Sequence, residues 1–174
     1  FFPLSIFRPR LIIGPGRLGI FKKLFWFIHK SLPVPIIGSG NNCYQMISVF
    51  DCASAILLSI QKGIPNDVFN LGSEKKINVK NLLKDLIKYA SSKSITIPLH
   101  HNLVKLLLFL FDSLGMPILY PEQFMIADKD YIVDINKAKK QLGWNPKFDD
   151  QQMVNNAYEH WLKLKNTKES IKGN

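Results

Sequence analysis

All three arginines of the 174-residue chain, Arg8, Arg10 and Arg17, fall in the stretch SIFRPRLIIGPGRLG (5–19). A guanidinium presents a planar fork of donors that grips a carboxylate or phosphate at two points, which the ammonium of lysine does not. Chance clustering is the plain alternative, but three such forks beside a Gly-Pro-Gly break are the first chemistry to follow. Asp51 is a carboxylate at the start of a helical pattern, where capping is the commoner use and catalysis the rarer one. No metal site is expected. Cys43 and Cys52 make no paired-ligand pattern, and His29, His100, His101 and His160 are scattered. Two cysteines without a disulfide framework fit a reducing cytoplasm.

The composition, 47% hydrophobic and 21% charged, is that of an ordinary globular domain. A chain of this length can bury about 70% of its unfolded surface, enough for a real core. The formal charge of +10 does not imply nucleic-acid binding, because the lysines are spread along helices and tail with no basic stripe and no base-reading motif. The run LVKLLLFLF (103–111) is about half the roughly 20 residues a membrane span requires, and Lys105 interrupts it. The segment 18–32 is amphipathic through Phe21, Leu24, Phe25, Ile28 and Leu32. A core-facing helix is favoured there over one lying on a membrane surface.

These residues need elements to position them. Residues 4–13 read as one buried strand, followed by a helix of about four turns to Leu32. Short strands are expected at 34–37 and 44–49. A helix opening at Asp51 repeats Ala53, Ile56, Leu57 and Ile60 at helical spacing and stops before Gly63. DVFNLGS (67–73) is a second buried strand. Asn78 caps a helix carrying Val79, Leu82, Leu83, Leu86 and Ile87, and a strand at 94–99 and an apolar helix at 102–114 follow. DINKAKKQLGWNP (134–146) is a short helix with Asp134 at its N-cap and Gly143 as a left-handed stop, and a last helix runs from 150 to 165. Strand and helix alternate, so the class is α/β.

Four pieces, in order, resemble the C-terminal half of the NAD(P)-dependent epimerase/dehydratase family, the extended short-chain dehydrogenases. They are RPRLIIGPG (8–16), GSGNNCYQMISVFDCASA (38–55), VFNLGS (68–73) and DINKAKKQLGWNP (134–146). The resemblance implies the distal part of a Rossmann-type doubly wound sheet plus a small mixed α/β substrate-binding lobe. Residues 1–16 and 50–73 would be the last strands and helix of the Rossmann-type domain, 17–49 and 74–165 the substrate lobe, and 166–174 a disordered tail.

It further implies an NAD or NADP cofactor, held mainly by an N-terminal half that also carries the glycine loop and the catalytic Tyr-x-x-x-Lys. That half is expected to be missing from this chain. No Gly-x-x-Gly-x-x-Gly follows a strand here, and no residue of the chain is assigned to catalysis. Arg10, Leu11 and Ile12 would border the cofactor, and Arg17, Tyr44 and Gln45 the substrate, a small hydroxylated molecule of sugar type. The partners expected are that substrate, the N-terminal half and, in the full-length protein, a second subunit. One position departs from the nucleotide-sugar pattern: Tyr44 stands where an arginine would grip a diphosphate.

Overall fold

A computed structural model of the chain describes residues 2–18, 21–100, 102, 104 and 128–172. Its contacts separate into two compact units, one of Phe1–Trp26, Gln45–Lys76 and Ile132–Asn174, the other of Phe27–Tyr44 and Ile77–Tyr131. Most of the expected apolar helix at 102–114 lies outside the described residues.

In the first unit, β1 (Ser5–Pro9) runs parallel to β5 (Asp67–Leu71), with Ser5 opposite Asp67 and Pro9 opposite Leu71. Alternation puts Phe7, Phe69 and Leu71 on one face. There the Phe7 and Phe69 rings stack at 5.8 Å and join a cluster of Ile47, Ala55, Ile135, Ala138, Leu142 and Trp144. β2 (Leu11–Ile13) pairs in parallel with β4 (Met46–Ser48). The single buried strand expected at 4–13 is therefore two strands in two ladders. The Arg10 N–H donates to the Leu71 carbonyl at 2.9 Å, and Pro9 has no N–H with which to lengthen the ladder. Nor is β1 buried: Leu4 is 61% and Ile6 44% exposed.

Helix α2 (Val49–Gln61) follows β4 directly. Its N-cap is Ser48, whose hydroxyl accepts from the Phe50 N–H at 3.1 Å, and not the expected Asp51. Asp51 lies one turn inside, buried, with its two carboxylate oxygens accepting the Lys147 and Phe148 N–H groups at 3.0 and 3.3 Å. The Trp144 indole N–H donates to the Asp51 carbonyl and the Ser54 hydroxyl, each at 3.0 Å. Helix α4 (Asn136–Leu142) ends, as its sequence implies, on Gly143 in the left-handed region at φ 67°. Asp134 lies two residues before it and accepts the Asn136 N–H at 2.8 Å. The outward side of α2 is unusual: the apolar stripe of Ile56, Leu57 and Ile60 faces solvent, and Asp51, Ala55 and Ser59 face inward.

Helix α1 (Phe21–His29) ends a turn earlier than expected because Ser31 turns into the left-handed region and the Leu32 N–H folds back onto the Phe27 carbonyl at 2.9 Å. Its Phe21 and Phe25 are buried, and Phe25 meets Tyr158 edge-on at 5.4 Å, so this apolar face is spent on the core. Helix α5 (Asp150–Lys172) carries Tyr158 and continues through the region expected to be a disordered tail. No proline or glycine interrupts it before Gly173, and the Thr167 hydroxyl donates to the Lys163 carbonyl.

The second unit contains β3 (Val34–Ile37), parallel to β6 (Thr96–Leu99). Helix α3 (Val79–Tyr89) packs there with Leu82, Leu83, Leu86 and Ile87 buried. Asn78 caps it as expected, its side-chain oxygen accepting the Asn81 N–H at 2.8 Å. Among the described residues no helix is long and apolar enough to cross a membrane.

The Asp51 carboxylate joins α2 to the loop after Trp144, so removing it strands two amide N–H groups. Asp51→Ala is expected to lower unfolding free energy by about 2–3 kcal/mol, read from urea titrations. Lys62→Ala, at the exposed end of the same helix, should change it by less than about 0.5 kcal/mol.

Candidate functional site

Parallel strands present their ligands at their carboxyl ends. In β1 and β5 those ends are Pro9–Arg10 and Leu71–Gly72, side by side in register. Beyond them the Arg10 guanidinium donates from Nη2 to the Ile132 carbonyl at 3.0 Å. Gln45 is buried and spans the neighbouring gap: its Nε2 donates to the Ser73 carbonyl at 2.6 Å, and its Oε1 accepts the Val133 N–H at 2.8 Å. Gly72 is required because a Cβ there would lie 2.5 Å from the Gln45 carboxamide carbon. Two residues far apart in sequence, Arg10 and Gln45, thus hold the segment at 132–133 against the ends of the strands.

Along that segment opens a cavity of about 410 Å³, bordered by Gln45, Ser73, Glu74, Asp134, Asn136 and Lys139. Lys139 and Glu74 form an ion pair at 2.5 Å, and Asp134 and Lys76 add one charge of each sign, so the wall mixes neutral hydrogen-bonding groups with balanced charge. This wall suits a hydroxylated ligand better than a strongly anionic one.

The remaining sequence candidates fall elsewhere. Leu11 and Ile12 are half-buried in β2, Ile12 against the core cluster. Arg17 is exposed and closes a tight turn, its N–H donating to the Gly14 carbonyl at 2.9 Å. Its guanidinium opposes the upward push that burial, and then Asp51, give the Cys52 thiol, which still reaches about 11. A thiol so raised is a poor nucleophile at neutral pH. Tyr44 belongs to the second unit, where its ring stacks on Tyr131 at 5.0 Å. Cys43 beside it is fixed by Asp130, whose carboxylate accepts the Cys43 N–H at 2.7 Å.

Two spacings resemble dinucleotide and catalytic motifs without their geometry. Gly14-Pro15-Gly16-Arg17-Leu18-Gly19 spells Gly-x-Gly-x-x-Gly. However, β2 before it and β3 after it pair with different strands, β4 and β6, so they do not form the βαβ unit that gives the motif its meaning. Tyr89 does stand four residues before Lys93. Yet Tyr89 is the last residue of α3, and the chain turns left-handed at Ser91, so the two side chains share no helical face.

Asp150 was legible only as a helix start. It is buried between β4 and the exit of β5, with its Oδ1 accepting the Met46 N–H at 3.1 Å. Burial raises its carboxyl to about 6, against the Ser73 hydroxyl and the Met46 N–H, which lower it, and with Asp149, which raises it further.

No protein-family model matches the sequence. The protein y4nG of Sinorhizobium fredii is 33% identical over 156 residues, which are 89% of this chain and 39% of that protein. The dTDP-4-dehydro-6-deoxyglucose reductase of Escherichia coli is 25% identical over 135 residues, 75% of this chain and 34% of that one. Among solved structures, the UDP-glucose 4-epimerase of Thermotoga maritima superposes with a TM-score of 0.66 at 23% identity, covering 92% of this chain and 46% of its own. The dTDP-glucose 4,6-dehydratase of Bacillus anthracis, in complex with NAD, gives 0.67 at 17% identity, covering 94% and 46%. The fold is therefore Rossmann-type α/β, and over most of its length the chain is similar to part of the NAD-dependent epimerases and dehydratases. It spans less than half the length of these relatives.

The sign of the Asp150 effect is fixed by its raised value. Its protonated form is the one the fold prefers, so its contribution is fully present below about 3.8 and lost as the pH rises through about 6. Asp150→Asn should remove that loss, leaving the variant more stable than the parent at pH 7 by up to about 3 kcal/mol relative to the difference at pH 4. Paired urea titrations at the two pH values measure it.

Proposed function

We propose that this chain supplies the distal sheet strands and the substrate lobe of an NAD(P)-dependent epimerase, dehydratase or reductase acting on a sugar-type hydroxylated substrate. The observation that carries the reading is the paired carboxyl ends of β1 and β5, with Arg10 and Gln45 fixed across them beside a polar cavity whose charges balance. The activities for which its relatives are named, those of sugar-nucleotide reductases, dehydratases and epimerases, supply the substrate class.

The chain's own residues divide the work. Arg10, with Leu11 and Ile12 following it in β2, would border the nicotinamide, whose chemistry when bound is to accept a hydride from the substrate and return it. Arg10 is anchored to the Ile132 carbonyl, so its position costs no further ordering when ligand arrives. Gln45 acts through position, since both ends of its carboxamide are engaged with backbone and hold the cavity wall in place. Tyr44, with Tyr131 stacked on it, offers an aromatic face in place of an arginine fork, which favours substrates read by ring stacking over those gripped at a diphosphate. Arg17 would meet substrate from its exposed turn. The proton-transfer groups are assigned to the dinucleotide-binding half of the enzyme. Its setting is cytoplasmic, in keeping with the free cysteines Cys43 and Cys52, and the whole enzyme is a homodimer.

The test uses the gene product in its full natural length. It should bind NADH or NADPH with micromolar affinity, read by nicotinamide fluorescence, and Arg10→Ala should weaken binding about tenfold, roughly the value of one charge-assisted contact. The 174-residue chain alone should bind neither cofactor in that range. Absence of nicotinamide binding by the full-length product would refute the reading, as would micromolar binding by this chain by itself.

A further inference from the structure

We propose that Asp150 is a positioning residue for the cavity beside the ends of β1 and β5: its protonated carboxyl holds the cavity wall in place, and its ionisation lets that wall go. This rests on the function proposed above and adds a control to its site. The first observation is an unbroken run of buried hydrogen bonds. The Asp150 Oδ1 accepts the Met46 N–H at 3.1 Å, the Met46 carbonyl accepts the Ser73 N–H at 2.7 Å, and the Ser73 carbonyl accepts from the Gln45 Nε2 at 2.6 Å. Gln45 then accepts the Val133 N–H on its Oε1 at 2.8 Å. Asp150, Met46, Ser73 and Gln45 are each no more than 2% exposed, so the run lies inside the protein, where each bond stiffens the next. Gln45, Ser73 and Val133 border the cavity, and Asp150 is the far end of the run. Next to Val133 stands Ile132, whose carbonyl anchors Arg10.

The second observation is one hydroxyl set between two acceptors. The Ser73 hydroxyl donates to the Lys75 carbonyl at 3.3 Å, while the buried Asp150 Oδ2, on which that hydroxyl also acts, has no hydrogen-bond partner among the described residues. A hydroxyl has a single proton to give. When Asp150 is neutral, its own O–H is free to donate to the Ser73 oxygen, and the serine proton stays on Lys75. When Asp150 is ionised, a buried carboxylate oxygen without a donor is costly, and the serine proton is the donor at hand. Turning it to Asp150 releases the Lys75 carbonyl, between Glu74 and Lys76 of the cavity wall. Burial opposes the ionisation most, the Ser73 hydroxyl from the exit of β5 and the Met46 N–H from β4 favour it, and Asp149 on its own segment opposes it, so the carboxyl titrates at about 6. Lys75, the cation on that side, is paired with Asp149 at 3.9 Å. The held wall therefore belongs to pH values below about 6 and is lost as the pH rises through it. By linkage, a ligand that needs the held wall binds more tightly on the acid side.

The test follows amide hydrogen exchange in the gene product of full natural length. The protection factor of the Val133 amide should fall about fivefold, the worth of one hydrogen bond, between about pH 5 and about pH 7.5, while the amides of α3 in the second unit keep theirs. Its midpoint should lie at about 6. Asp150→Asn, which can keep the Met46 and Ser73 contacts without a charge, should hold Val133 protected across the range. Ser73→Ala, which removes the shared proton, should leave it weakly protected at both ends, with no dependence on pH. A Val133 profile that is flat in the parent, or one that persists in Asp150→Asn, would overturn the proposal. Should Asp150→Asn fail to fold, Ser73→Ala decides: a flat profile supports the role, and a profile that survives loss of the hydroxyl sinks it. Calorimetry with NAD and NADP runs on the same samples, and the cofactor that binds should be held about fivefold less tightly at the higher pH. Equal affinity at both pH values in the parent overturns the proposal. An Asp150-dependent exchange profile with no cofactor binding leaves the positioning role standing and counts against the enzymatic reading. Cofactor binding beside a flat exchange profile does the reverse.

Discussion

A parallel β ladder exposes backbone on two edges and side chains on two faces, and it persists only when nearly all of these are covered. In the first unit, one face of the β1–β5 ladder is closed by the cluster around Trp144, which is fully buried. That tryptophan is held by its indole N–H on α2, and the loop beyond it is held by the Asp51 carboxylate from the same turn of the helix. The consequence reaches the candidate site. The helix that carries Asp51 is the one that leaves β4, and Gln45, just before β4, bridges to the exit of β5. The covered face and the ordered strand ends are thus one connected construction.

The polar side of α2 is the feature that makes this possible and the one least visible in the sequence. Helical periodicity finds the apolar stripe correctly, but it assumes the stripe points to the core. Here Asp51, Ala55 and Ser59 do so instead. A carboxylate inside is tolerable because two amide donors meet it. Alanine and serine allow the helix to lie close to the sheet, as the contact between the Ser59 and Ser5 hydroxyls records. No pattern in the sequence alone distinguishes a helix with a small, polar inner face from one with an apolar inner face.

What was legible had local causes. Asn78 and Gly143 were read correctly because capping and a left-handed stop depend on one or two residues. The α/β class, the strand within 67–73 and the family likeness followed from motifs of the same local kind. The break at Arg10, the employment of Gln45 and the burial of Asp150 were not legible, since each depends on a partner more than 25 residues away: Leu71 or Ile132 for Arg10, Ser73 or Val133 for Gln45, Met46 for Asp150. The candidate site is therefore half visible in sequence. Its residue types could be read, but the backbone they grip could not.

This distinction bears on how the strand ends can work. Gln45 and the Arg10 contact with Ile132 spend their hydrogen bonds on the segment at 132–133, so the site is shaped before any ligand arrives. Preorganisation of this kind lowers the ordering cost of binding, but it also removes those groups from the list that can follow charge as it develops in a reaction. A chain whose polar groups are fixed on its own backbone is suited to framing a substrate, and proton transfer must then come from groups still free to titrate. Asp150 does titrate near neutrality, yet its burial places it behind the framing residues, where its protonation is read as stability of the fold.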